Sequence, residues 1–444
     1  MSAPTNDLEV FDICAPLPTG TTLLEASAGT GKTWTIGALV TRYVAEGVAT
    51  LDQMLVVTFG RAASQELRER VRAQLVEAEH ALAHPDEPAP SDLVVLLLDA
   101  SPEERSRRRQ RIREALASFD AATIATTHQF CHLVLRSLGV AGDTDANATL
   151  VEDLDDLLRE VVDDLYLREF AGSDDVPPFS HRDALKLARS AVNDPQARLE
   201  PSDAEPETLP GRRLAFAAEV RAELDRRKRK LGVLSYDDLL SQLADALLSD
   251  EAPARQRMRQ RWKVVLVDEF QDTDPVQWQV LDRAFSGHAT MVLIGDPKQA
   301  IYAFRGGDVT TYLQAAATAT TRKTLGTNWR SDADLVDSLP VLMRGAALGD
   351  DQIVVRDVNA SHQGSRLTDA GAPFRLRVVN REVLGRRPTS KLAVTDIRPH
   401  VYADVARDIK RLLTSDARFE GRELQPRDVA VIAYKNGDLQ EVQR

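Results

Sequence analysis

Leu266–Asp272, LVDEFQD, decides how this 444-residue chain is read. Four apolar β-formers, Val264, Val265, Leu266 and Val267, end abruptly in Asp268-Glu269. A buried parallel strand delivers side chains to the carboxyl edge of its sheet in this way, and ligands bind at that edge. Two adjacent acids there divide the labour: one holds a divalent ion, the other handles a water. Such a pair needs a phosphate to act on, so the next question is whether the chain also carries a phosphate cradle.

It does, near the N-terminus, where TTLLEASAGTGKT spans Thr21–Thr33. Thr21–Leu24 predicts a short strand and Gly29–Thr33 a phosphate-binding loop. After the loop, Trp34, Ile36, Leu39, Val40, Tyr43 and Val44 recur at helical spacing. Strand, glycine loop and helix are the context a P-loop requires. Loop N–H groups and the helix N-terminus attract phosphate oxygens. In such a loop Lys32 sits on the β/γ-phosphates and the Thr33 hydroxyl on Mg²⁺. One departure is visible: Ala26 stands where G-x-x-x-x-G-K-[ST] has its first glycine. A chance glycine-rich turn is the bland alternative.

Working outward, Met54–Phe59 predicts a second buried strand with an amphipathic helix at Ala62–Leu75. Ala121–Gly139 repeats the pattern, turning helical at about Gln129. Lys263–Phe270 and Ala289–Asp296 are the fourth and fifth strands, both continuous apolar runs. Five strands with intervening helices predict a doubly wound α/β domain with a parallel sheet. Residues 1–141 and 261–326 form it, interrupted by a mostly helical insertion at 142–260. A second domain starts at 327, with strands expected at Phe374–Val379 and Asp428–Ala433 and a helix at Ala403–Leu413 between them. No internal repeat is found.

Composition narrows the class. The net charge of −12, from 56 basic and 68 acidic side chains, excludes a protein that coats nucleic acid with its whole surface. A local basic channel is compatible with it. The helix Pro102–Leu116 carries six arginines; such runs are mostly solvated faces, with a nucleic-acid role as the alternative. Cys14 and Cys131 have no metal-ligand spacing and imply no disulfide framework, which suits a reducing cytoplasm. There is no signal-peptide pattern, and no apolar stretch approaches the roughly 20 residues of a membrane helix. His128 and His132 are four apart without accompanying acids or cysteines, so packing is read ahead of a metal site.

EASAGTGKT, VVTFGRAASQELRERVR, ATTHQFC, LSYDDLL, VLVDEFQDTDPVQW, LIGDPKQAIYAFRGGD and LGTNWRS follow one another from Leu24 to Ser331. In this order they resemble the UvrD/Rep-like superfamily 1 DNA helicases, and within them the RecB-like branch. The resemblance implies a RecA-like P-loop NTPase domain, a helical insertion and an incomplete second RecA-like domain. It implies ATP and Mg²⁺ as cofactors, held by Ala26, Ser27, Ala28, Gly29, Thr30, Gly31, Lys32 and Thr33. Asp268 would join Thr33 on the Mg²⁺. Glu269 would be the general base, Gln299 a γ-phosphate sensor, Arg330 a cation reaching the phosphate from the second domain, and Trp329 an aromatic stacked on adenine. For DNA it implies Thr58, Phe59, Thr127, His128, Phe130, Tyr302, Phe304 and Arg305, with core packing as the alternative for the aromatics. Its partners would be single-stranded DNA, duplex DNA ends and RecC- and RecD-like subunits.

Two functions stand side by side. One is an ATP-dependent DNA helicase or translocase in recombinational double-strand-break repair. The other is an ATP- and DNA-binding module with little or no turnover. A late arginine motif and a nuclease domain are not found in the 444 residues, which reads as the N-terminal part of a longer protein or a truncated product and favours the second for this chain. A scaffold that docks a partner through the helical insertion is a third. Gly60 stands where a threonine is expected, and Thr19 or Gly20 where relatives use a glutamine to read adenine.

Overall fold

The computed structural model describes residues 8–138, 149–151, 153–172, 176–193, 197–301, 307–385, 387, 389 and 391–444. The chain divides into two compact units, one of residues 1–26 and 32–324, the other of residues 27–31 and 325–444.

The first unit is built on a seven-stranded sheet. Its strands are β1 (Glu9–Val10), β2 (Thr21–Glu25), β3 (Met54–Thr58), β4 (Thr123–Thr126), β5 (Val264–Val267), β6 (Thr290–Gly295) and β7 (Thr321–Thr324). They lie in the order β1-β7-β2-β6-β5-β3-β4, and every pairing is parallel. The five expected strands occupy the middle and one edge. The two further strands, β1 and β7, are short, and β7 reads TRKT. No hydrophobic pattern marks them, because they exist by hydrogen-bonding to an edge and not by burial.

The central strands are buried on both faces, as parallel strands are. Leu23, Leu55, Val57, Val265, Val267, Met291 and Leu293 share one core with the helices Thr127–Leu138, Tyr236–Ala246, Pro253–Arg261, Pro275–Phe285 and Val309–Thr318. The alternate residues Leu24, Val56, Leu266, Val292 and Ile294 are equally buried and face the other side. There the helix Arg61–Ala83 packs along β3 and β4 and against the helices Lys32–Ala45 and Pro102–Ala117. In that last helix four of the six arginines are occupied. Arg107 pairs with Glu104, Arg109 with Glu79, Arg108 donates to the Leu96 and Leu97 carbonyls, and Arg111 donates to that of Ala45.

The helical insertion has a separate core. Helices Asp155–Phe170, His181–Asn193 and Leu209–Leu231 enclose Val161, Val162, Ala184, Phe216 and Val220, with Phe179 edge-on to Phe216. Gly232 ends the third helix at φ 63°, a left-handed cap that glycine adopts without steric cost. Tyr236–Ala246 and Pro253–Arg261, contiguous with these helices in sequence, instead bury their apolar faces in the core under the sheet.

In the second unit Thr327–Asp332 pairs in parallel with Asn359–His362, and Leu367–Thr368, Arg418–Phe419 and Arg422–Glu423 form an antiparallel sheet. The expected strands Phe374–Val379 and Asp428–Ala433 do not form. Their β-formers find no edge to pair with, and Leu376, Val378 and Ile432 are exposed. Arg377 instead reaches Asp404 and Asp408 on the helix Val394–Leu413. That helix begins well before the expected Ala403 and runs through Pro399.

Candidate nucleotide site and nucleic-acid face

Because β2, β6, β5 and β3 are parallel neighbours, whatever follows each of them gathers at one edge of the sheet. The Asp268 N–H donates to the Val57 carbonyl (2.8 Å), and the Ala26 N–H to that of Gly295 (2.9 Å). Those bonds carry the ladder one residue past each strand. The chain then turns sharply at Glu269, which adopts φ 48°, ψ 44°. A residue with a Cβ pays roughly 1–3 kcal/mol for such a conformation, so its surroundings must hold it there.

Two contacts do so. Lys32 Nζ lies 2.9 Å from Glu269 Oε2, and Gln271 Nε2 donates to the same oxygen at 2.8 Å. Gln271 is buried, and its Oε1 accepts the Asp296 N–H at 2.9 Å. A Cβ on Gly295 would stand 2.7 Å from Gln271 Oε1, so the last residue of β6 must lack one. Asp296 is also buried. Its carboxylate accepts from Lys298 Nζ (2.7 Å) and from Gln299 Nε2 (2.7 Å). Lys298 Nζ also lies 3.3 Å from Glu25 Oε1 at the end of β2. Glu269, Lys32, Gln299 and the strand end before the glycine loop are thus one bonded network.

The carboxylates in and beside this network outnumber its two ammonium groups, Lys32 and Lys298. Burial, and next the charge of Glu269, push the Asp268 carboxyl up to about 7, while Lys32 and the Thr58 hydroxyl act in the opposite sense. Burial and Glu269 raise Asp272 to about 6. The buried Asp272 Oδ1 has no hydrogen-bond partner among the described residues. The adjacent carboxylates of Asp268 and Glu269, short of positive charge, suit a divalent cation. Sequence reasoning passed over Gln271, Asp272, Lys298 and Glu25. The first two stand inside the LVDEFQD stretch, but only the turn at Glu269 brings the Gln271 amide back onto the preceding carboxylate.

The glycine loop is organised within the second unit. Gly29 and Gly31 adopt φ 80° and 87°. Thr30 donates both its N–H and its hydroxyl to the Ser27 carbonyl, at 3.2 and 2.7 Å. Asn328 donates from Nδ2 to the Ala28 carbonyl (3.1 Å), and its Oδ1 accepts the N–H groups of Arg330 and Ser331. The Trp329 N–H donates to the Gly29 carbonyl (2.8 Å). A Cβ on Gly29 would stand 2.9 Å from both Arg330 Cβ and Asn328 Oδ1. The Trp329 indole is 61% exposed and lies against Gly31, where an added Cβ would be 3.6 Å from Cδ1. Ala26 is fully buried without a positive φ, so the methyl that replaces the motif's first glycine costs the backbone nothing.

The residues expected on DNA fall in different places. Thr58 is buried with its hydroxyl toward Asp268, and Thr127 is buried with its hydroxyl 3.4 Å from Gln277 Oε1. Phe130 takes the packing alternative: it is fully buried, edge-on to Trp262 with ring centroids 5.3 Å apart. Phe59 and His128 line an open cavity of about 220 Å³ with Arg61, His132 and Tyr236. His128 sits edge-on to Tyr236 at 5.1 Å, and burial lowers its pKa against the pull of Asp237. Arg61 donates to the Tyr236 hydroxyl at 2.7 Å. Tyr302, Phe304 and Arg305 lie outside the described residues.

With this geometry in view, the comparisons are specific. The UvrD/REP helicase N-terminal domain profile matches residues 10–320. RecBCD enzyme subunit RecB of Mycolicibacterium smegmatis is 59% identical over 435 residues, covering 97% of this chain and 40% of that protein. RecB of Mycobacterium tuberculosis is 54% identical over the same length and coverage. RecB of Escherichia coli is 29% identical over 464 aligned positions, covering 76% of this chain and 39% of that protein. The chain therefore spans about two-fifths of the length of these relatives. No described helix is long and apolar enough to cross a membrane.

Proposed function

Since the chain belongs to the UvrD/REP helicase family, we propose that it is the ATP-hydrolysing part of a RecB-like DNA motor. The observation that carries this reading is the Lys32–Glu269–Gln271 cluster, with Asp268 beside it at the carboxyl edge of the sheet. Residues 26–31 and Lys32 would bind the phosphates of ATP, with Trp329 stacked on adenine. Thr33 and Asp268 would hold Mg²⁺; the charge deficit around Asp268 supports that donor set. When bound, the ion supplies positive charge against the phosphate oxygens. Glu269, oriented by Gln271, would take a proton from the attacking water. Gln299, anchored on Asp296, would report the γ-phosphate to the rest of the network, and Arg330 would add charge from the second unit.

Single-stranded DNA and duplex ends are the proposed load. Phe59 and His128 would contact it at their cavity, stacking bases for about 1–3 kcal/mol each. Double-strand-break repair in the cytoplasm, with RecC- and RecD-like subunits, is the proposed setting; the relatives' name, a subunit of a RecBCD enzyme, supports the subunits. DNA-stimulated ATPase of the 444-residue chain, compared with Lys32→Ala and Glu269→Gln, tests the reading. Stimulated turnover lost in both variants is the expected result, and turnover equal to wild type in Lys32→Ala refutes it.

A second reading is binding of ATP and DNA without appreciable turnover by residues 1–444 alone. Nucleotide and DNA binding without stimulated hydrolysis in the same assay selects it.

A further inference from the structure

Among the described residues, one set of three metal-ligating side chains converges away from the carboxylate edge: His80, His84 and Glu87. We propose that these residues form a transition-metal site of the Zn²⁺ class at the far end of the helix Arg61–Ala83.

The local structure builds the site in three steps. His80 and His84 are four apart, so one helical face presents both imidazoles; their ring centroids are 4.4 Å apart. The helix stops at Ala83, with the His84 N–H donating to the His80 and Ala81 carbonyls. Pro85 then forbids continuation, and the Glu87 N–H donates back to the His84 carbonyl at 3.1 Å. That turn folds Glu87 over the imidazoles, with its Oε2 3.8 Å from His80 Nδ1.

The chemistry selects the ion. His84 Nδ1 lies 3.0 Å from the His80 carbonyl. As its donor, Nδ1 carries the proton and leaves the Nε2 lone pair for a metal, the arrangement that orients ligating imidazoles generally. One ligand atom from each residue lies within 4.8 Å of the others. Metal–ligand bonds of about 2.0–2.2 Å place tetrahedral ligand atoms about 3.4 Å apart, so these atoms must close by up to about 1.4 Å, a rotamer adjustment for exposed side chains. Two imidazoles and one carboxylate suit Zn²⁺, Ni²⁺ or Cu²⁺, whereas Mg²⁺ takes oxygen ligands. The helix C-terminus adds a partial negative charge that favours any cation there. The helix starts just beyond β3 at the carboxyl edge and runs 23 residues, so the metal would sit roughly 34 Å along it from the proposed ATP site. Its effect would be to tie the 84–90 turn to the helix end.

Isothermal titration of the 444-residue chain with Zn²⁺, in excess Mg²⁺, tests the site. One equivalent is expected. His80→Ala with His84→Ala weakens it by more than about tenfold and Glu87→Gln by less. His181→Ala, where the imidazole already pairs with Asp163, leaves binding unchanged. With Cu²⁺ as probe, electron paramagnetic resonance shows nitrogen coupling that the His80→Ala/His84→Ala variant loses. Zn²⁺ affinity or nitrogen coupling undiminished in that variant overturns the proposal. All these residues are on the surface, so the variants fold, and none of the readouts depends on ATP turnover.

Discussion

Replacing Gln271 with alanine isolates what holds the proposed general base. Gln271 donates to Glu269 Oε2 at 2.8 Å and accepts the Asp296 N–H at 2.9 Å from a buried position. Gln271→Ala removes a charge-assisted hydrogen bond worth about 1.5–3 kcal/mol and strands a buried N–H that costs about 1–3 kcal/mol. Some of that loss is recovered by solvent entering the space, so a destabilisation of about 2–4 kcal/mol is expected in the first unit. The catalytic consequence is separate. Of the two side chains on the Glu269 carboxylate only Lys32 is left, and a ~1 Å misplacement of a reacting group costs on the order of 10² in rate. The assay is DNA-stimulated ATPase alongside affinity for a fluorescent ATP analogue, below the unfolding temperature of the variant. A fall in kcat of about 10–100-fold is expected. Nucleotide affinity should stay within about threefold, because Lys32 and the glycine loop are untouched. Gln271→Glu should be at least as inactive, since a carboxylate cannot donate to Glu269. Unchanged kcat in a folded Gln271→Ala protein, or a loss entirely in nucleotide affinity, refutes the assigned positioning.

The remaining predictions address packing, strain and protonation. Gly29→Ala should weaken nucleotide binding by at least about tenfold in the same fluorescence assay, because it forces a Cβ into φ 80° and 2.9 Å contacts with Arg330 and Asn328. Phe130→Ala should destabilise the first unit by about 3–5 kcal/mol in chemical denaturation. DNA affinity per folded molecule should be unchanged, since the ring is in the core. Asp272, raised to about 6 from 3.8, binds its proton more tightly folded than unfolded. Its contribution therefore erodes stability as pH rises from about 4 to about 6 and leaves the full penalty above that range. Asp272→Asn should flatten that part of the profile and raise stability at neutral pH by an amount on the order of 1–3 kcal/mol, seen as a higher thermal midpoint when the chain is melted across the pH range.

The parallel sheet was legible because burial on both faces leaves an unbroken apolar run. Val264–Val267 and Met291–Ile294 look alike in sequence for the same reason that they pair in the structure. The reverse failure occurred at Phe374–Val379 and Asp428–Ala433, where β-formers without an adjacent edge form no strand, and Leu376, Val378 and Ile432 are exposed. The opposite miss is β7, whose TRKT carries no apolar signal and is a strand only because it pairs with β1 and β2.

By itself, the sequence determined the chemistry on offer: a glycine loop ending in Lys32-Thr33, and Asp268-Glu269 at the end of a buried run. Local patterning suffices there, because such motifs are short and their backbone demands are written in glycine and apolar residues. Tertiary structure alone decided how those groups are held. Gln271 clamps Glu269, Asp296 gathers Gln271, Lys298 and Gln299, and Asn328 staples the loop at Ala28. These contacts join residues up to 300 positions apart. They depend on the sheet order and on one left-handed turn at Glu269, neither of which a linear pattern encodes. The same is true of His80, His84 and Glu87, whose convergence rests on where a helix ends and which way the chain then folds.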